Sequence, residues 1–131
     1  MRNAVLWLAA AAFSSCTGLP NDQHEALLSI YIDVFDKNAV DGLPLAENVT
    51  FSGPLLAEPI VGRDQVAAFL SQVSPSVAVI EVRQSFEGPE GGCAELALRV
   101  GDRDVEEVHC VTFDDGAISA IRLYFDPRPL L

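Results

Sequence analysis

The sequence predicts an α+β domain with its helices first and a run of antiparallel strands last. Three observations carry that expectation. Residues 22–37 and 64–73 place apolar side chains at three- and four-residue intervals, the period of a half-buried helix. From residue 77 onward, runs rich in β-branched and aromatic residues follow one another, punctuated by Gly, Pro and Asp. The last two runs, VEEVHCVTF and ISAIRLYF, flank Asp-Asp-Gly, a strong hairpin signal.

A chain of 131 residues has room for one core, and with 50% apolar residues and a mean hydropathy of +0.27 it is no disordered acidic tail. Nineteen acidic residues against eight basic ones leave a net charge of −11. Such a field repels phosphate, so nucleic acid and anionic membrane surfaces are excluded as partners.

Residues 1–15 differ in character: Arg2, an apolar and small run, then Ser14-Ser15 before Cys16. The run is too short for a mature membrane span and has the form of an export leader. Small residues ahead of a lone cysteine resemble the bacterial lipoprotein cleavage box, which makes Cys16 the lipidated residue and a lipid anchor the expected membrane contact. An ordinary cleaved signal, or a retained apolar helix with a buried thiol, remains the alternative. Residues 16–21 read as a tether and 22–131 as the domain.

The first helix opens at Asp22, with Glu25 as its capping-box partner, and its stripe is Leu27, Ile30, Tyr31, Val34 and Phe35. Asp41-Gly42 and Pro44 break the pattern, with room for a stub of helix over 40–46. ENVTFS (47–52) alternates as a strand with Val49 and Phe51 inward. A loop over 55–61 leads to Asp64, which favours the positive end of a second helix carrying Val66, Ala67, Phe69, Leu70 and Val73. Strands are expected over 77–86, 93–100, 103–113 and 117–125, and Pro127 and Pro129 end the last.

Alternation decides which way the strand residues face. Val105, Glu107, His109, Val111 and Phe113 share one side. A two-residue turn at Gly101-Asp102 sets them against Ala94, Leu96, Leu98 and Val100. A three-residue loop with Gly116 left-handed pairs Phe113 with Ala117 and puts Ser119, Ile121, Leu123 and Phe125 on the His109 side, with Arg122 and Tyr124 opposite. The same register sets Cys93 opposite Cys110. An exported chain meets the oxidising conditions a disulfide needs there; two buried thiols are the alternative.

Four blocks, YIDVFDKNAVDGL (31–43), ENVTFSGP (47–54), GRDQVAAFL (62–70) and VTFDDGAISAIRLYFDP (111–127), resemble the nuclear transport factor 2-like superfamily in its ketosteroid isomerase and SnoaL-like polyketide cyclase branches. The resemblance covers residues 25–127. It implies a strongly curved antiparallel sheet wrapped as a cone around the helices, an apolar pocket open at one end, and homodimers formed through the outer sheet face, here Val108, Arg122 and Tyr124. It also matches Tyr31 to the isomerase's oxyanion-hole tyrosine and His109 to its second hydrogen-bond donor. The isomerase's general-base position falls on Gly53, and the carboxylate of the epoxide hydrolase branch on Leu123, so neither usual route is complete. Such folds host unrelated functions.

Taken by themselves, the inward residues make a greasy site: Val49, Phe51, Phe69, Leu96, Leu98, Val111, Ile121, Leu123 and Phe125 around Tyr31 and His109. Tyr31 and His109 are read as catalytic candidates, donating to a carbonyl or enolate oxygen or, for the imidazole, moving a proton. Glu107, near a rim, is the candidate that orients His109. A hydrogen-bonded core histidine and a packing tyrosine are the bland alternative. His24, at a helix start, stands apart from His109. No Cys-x-x-Cys pair, His-Glu cluster or glycine-rich phosphate loop is present, so no metal and no cofactor is expected. The expected partner is a small apolar molecule bearing a carbonyl or hydroxyl, handled by isomerase- or cyclase-like proton transfer; a non-enzymatic module with an idle pocket is the other reading. Metabolic labelling with a fatty acid is expected to mark the wild-type chain and spare Cys16→Ala, and an unlabelled wild type ends the lipoprotein reading.

Overall fold

The computed structural model describes residues 20–131. It contains α1 (Pro20–Lys37), β1 (Leu45–Ser52), β2 (Ile60–Val61), α2 (Arg63–Val73), β3 (Val77–Glu87), β4 (Gly91–Val100), β5 (Arg103–Asp114) and β6 (Ala117–Tyr124). Short 3-10 turns occupy Ser74–Ser76 and Arg128–Leu130. The leader and Cys16 lie outside the described residues, and the side chains of Asp22, His24 and Glu25 are likewise outside the description. Among the described residues no helix is long and apolar enough to cross a membrane.

The six strands form one curved sheet in the order β2-β1-β6-β5-β4-β3, open at both edges. All pairings are antiparallel except that of β1 with β6, which is parallel. Both helices pack on the inner face and share a single apolar cluster with it. On α1 the buried stripe is Leu27, Leu28, Tyr31, Val34 and Phe35. Ile30 is exposed, contrary to expectation, because Leu28 and Tyr31 already define the buried side and a residue one step from Tyr31 turns away from it. The helical stub over 40–46 is absent. Asp41-Gly42 make a turn, Gly42 at φ 88°, and the chain passes directly into β1.

The β4–β5 hairpin has the register read from the sequence. Gly101, at φ 63°, occupies the first position of the turn, Val100 faces Arg103, and Ala94 faces His109. Cys93 and Cys110 lie opposite each other and are joined by a disulfide, with Cα atoms 4.0 Å apart. The β5–β6 hairpin corrects the expected turn. Asp115 and Gly116 both have positive φ, 52° and 77°, so the loop has two residues, and Asp114 pairs with Ala117. A bulge then inserts Ser119, whose hydroxyl donates to the Thr112 carbonyl at 3.2 Å. Phe113 therefore faces Ile118, which takes the buried place assigned to Ser119, and His109 faces Leu123. The net slip is two residues, so Ile121 and Leu123 keep the expected face.

Two edges complete the sheet. β2, a two-residue strand inside the expected loop, pairs Ile60 and Val61 with Phe51 and Thr50. β3 pairs with β4 but shifts register twice, between Val79 and Glu81 and between Val82 and Gln84, and from Ile80 to Glu87 its residues are exposed. The disulfide closes a loop with a sequence separation of 17, for which chain entropy gives about 3 kcal/mol of stabilisation. The double variant Cys93→Ala/Cys110→Ala is expected to lose about that much in urea unfolding; an unchanged midpoint would show the link idle.

Candidate functional site

Alternation on β5 points Val105, Glu107, His109, Val111 and Phe113 inward, and all five are buried. Two of them are polar, and each has a partner. The Tyr31 hydroxyl lies 2.7 Å from His109 Nδ1, and His109 Nε2 lies 2.8 Å from Glu107 Oε1. Tyr31 is fully buried, and desolvation first, then the nearby Glu107 charge, raises its pKa well above the ordinary 10.0. The phenol thus keeps its proton and donates to Nδ1. The ring proton then sits on Nε2 and is donated to the Glu107 carboxylate, so each bond has one donor and one acceptor. Glu107 Oε2 has no partner among the described residues, yet no buried side-chain oxygen or nitrogen there is left unsatisfied. That oxygen therefore meets open space.

The open space is a cavity of about 300 Å³ at one end of the sheet. Phe51 of β1 with Gly53 just beyond its end, Phe69 and Val73 of α2, and Leu98 and Val100 of β4 form most of its wall. Phe35 reaches in from α1, Leu123 and Phe125 from the end of β6, and Leu55, Leu56, Val77 and Leu130 complete the lining. Glu107 and His109 are the polar side chains in this wall; all the others are apolar. Phe51 and Phe69 pack with ring centroids 5.0 Å apart, fixing one side.

The structure redistributes the expected site. Phe51, Phe69, Leu98, Leu123 and Phe125 line the cavity. Val49, Leu96, Val111 and Ile121 do not: they are sealed in the core, because alternation assigns a face but not a depth. Tyr31 does not reach the cavity either. Phe35, one helical turn further along α1, takes the lining position and packs edge-on against both the Tyr31 and His109 rings, at 5.5 Å from each. Tyr31 is thus hydrogen-bonded to His109 and stands outside the cavity lining. Both ring nitrogens of His109 are engaged, and it is the Glu107 carboxylate that keeps an oxygen without a hydrogen bond. Among the missed lining residues, Phe35 was visible in the α1 stripe, whereas Leu130 depends on a chain reversal after Pro127 that no periodicity announces.

Solved structures share this architecture. An NTF2-like protein of unknown function from Cytophaga hutchinsonii superposes with a TM-score of 0.72 at 21% identity, over 82% of this chain and 93% of that one. The chain has the nuclear transport factor 2-like fold. A steroid delta-isomerase from Pseudomonas aeruginosa gives a TM-score of 0.69 at 22% identity, over 80% of each chain. An LEH-like epoxide hydrolase from M. tuberculosis gives 0.65 at 17%, over 82% of this chain and 86% of that one. No family model matches the sequence, and no curated protein does.

Within this nuclear transport factor 2-like fold, Gly53 lies in the cavity wall beside Leu123, and a Cβ added at Gly53 would stand 3.3 Å from the Leu123 Cβ. The two positions onto which the resemblance maps a carboxylate are a glycine and a leucine of the same cavity wall. The carboxylate of this cavity comes from β5 instead. Tyr31→Phe leaves His109 Nδ1 buried without a donor, which is expected to cost about 1–3 kcal/mol in urea unfolding. The wild type should also lose stability above pH 10.0, where the unfolded chain releases the phenol proton and the folded one retains it. The slope has a limit of about 1.4 kcal/mol per pH unit, and Tyr31→Phe should flatten it; an unchanged alkaline limb would place the effect elsewhere.

Proposed function

We propose that this chain is a pocket domain that binds a small apolar molecule and carries out acid–base chemistry of the isomerase or cyclase kind, with Glu107 as the group that exchanges a proton with the ligand. The observation that carries this reading is the free Glu107 oxygen in an otherwise apolar cavity, backed by a completed hydrogen-bond chain to His109 and Tyr31. A carboxylate held rigidly in low-dielectric surroundings is a positioned base, and the two residues behind it set its orientation. His109 and Tyr31 are positioning residues here. A steroid isomerase and an epoxide hydrolase among proteins of like fold lend support, since both handle small organic molecules by name.

The chain in this reading is exported on its leader, held at the membrane by Cys16, and paired through its outer sheet face. That face exposes Tyr124 beside Val108, and Phe86 beside the disulfide. A second reading, a non-enzymatic module, is favoured by one observation: both His109 nitrogens are already engaged within the protein.

Naphthalene, which is apolar and compact, tests the pocket. It is expected to bind the wild type and to lose about tenfold or more in affinity to Leu123→Trp, which fills the cavity, in titration calorimetry with the melting temperature retained. Equal binding by both proteins would place the ligand elsewhere. Glu107→Gln keeps the shape and removes the base, so it should abolish proton transfer from bound 2-naphthol, read as loss of naphtholate emission. Persistent emission would remove Glu107 from the role.

A further inference from the structure

The polarity of the cavity is one-sided. Its wall is apolar except at Glu107 and His109. The imidazole has nothing to give a ligand, because Nδ1 faces the Tyr31 hydroxyl at 2.7 Å and Nε2 faces Glu107 at 2.8 Å, whichever nitrogen carries the proton. The Tyr31 hydroxyl is sealed behind Phe35 and His109. The remaining side-chain function is one carboxylate oxygen, an acceptor. We propose that the cavity selects apolar molecules carrying a hydrogen-bond donor, a hydroxyl or an ammonium group, over ketones and carboxylates.

The physical reason is desolvation. A ligand carbonyl placed in this hollow leaves water and finds no side-chain donor, so it enters at a net loss. A carboxylate fares worse, since it also meets the Glu107 charge and the field of a chain at −11. A hydroxyl or ammonium donates to Glu107 Oε2 and satisfies both partners, and that bond is charge-assisted. A site that hydrogen-bonds a ligand O–H or N–H rejects analogues lacking it, because its own buried group is then left unpaired. Of the carbonyl and hydroxyl ligands expected from the sequence, the carbonyl needs Tyr31 or His109 as a free donor; with both committed to each other, the hydroxyl is the one that fits.

This proposal rests on the cavity being a ligand site, and a matched series separates the two ideas. The full chain is titrated with 2-naphthol, 2-naphthylmethylamine, 2-methoxynaphthalene, 2-acetonaphthone and 2-naphthoate by calorimetry. The naphthol, the amine or both are expected to bind about tenfold or more tighter than the ether, the ketone and the acid. In Glu107→Gln the gap to the ketone should shrink, because a side-chain amide can donate as well as accept. If all five bind alike, or the ketone binds best, the donor preference is wrong while the pocket reading stands. If none binds, and naphthalene does not either, both fall.

Discussion

β4 and β5 face each other without a break in register from Gly91 opposite Thr112 to Val100 opposite Arg103. Everything that makes this fold more than a curved sheet depends on that pairing. It sends Glu107 and His109 to the concave side together, two positions apart on one strand. It brings Cys93 and Cys110 together on the convex side, with Cys110 directly next to His109 in sequence. The tight turn at Gly101 starts the register and the disulfide fastens it near the far end, so the imidazole is carried on the least adjustable part of the sheet. A slip of β5 by one residue would put Glu107 and His109 on the outer surface and turn Glu106 and Val108 inward in their place.

The buried polar chain is tolerable because it is complete. A lone carboxylate or imidazole in such a core would be costly, and a half-satisfied network is worse than an apolar one. Here a helix contributes the phenol and a strand the other two members, so the chain of bonds ties α1 to β5 at a fixed distance. Phe35 packs against both rings and keeps the phenol out of the cavity. The helix therefore borders the site at one remove: its phenol holds the imidazole, the imidazole holds the carboxylate, and the carboxylate lines the cavity.

Much of this architecture was legible in the sequence because it rests on period and turn chemistry. Helical stripes, strand alternation and the Gly101-Asp102 turn gave the α+β order, the β4–β5 register and the opposition of Cys93 and Cys110. The last hairpin was misjudged in detail because a bulge at Ser119 leaves no mark on a pattern that is read two residues at a time. Ile118 was hidden by that bulge, and β2 by its brevity. For the site, the sequence turned Tyr31, His109 and Glu107 toward one hollow, with Glu107 as orienter of His109, but gave no measure of their depth. Their order from core to cavity depends on three-dimensional depth, which Phe35 decides. Depth likewise separates Leu98 and Leu123, which line the hollow, from Leu96 and Ile121, which do not.

The irregular edge formed by β3 has a consequence for how such a molecule coexists with its neighbours. Its two breaks in register bend the strand, and Glu81, Arg83 and Glu87 stand exposed along it. A straight, bare margin would invite stray chains to add themselves rung by rung, the first step toward fibrils. A kinked and charged margin offers no continuous ladder to copy. Crowded copies of this chain are thereby steered away from edge-to-edge growth, leaving the broad faces as the surfaces through which they can meet.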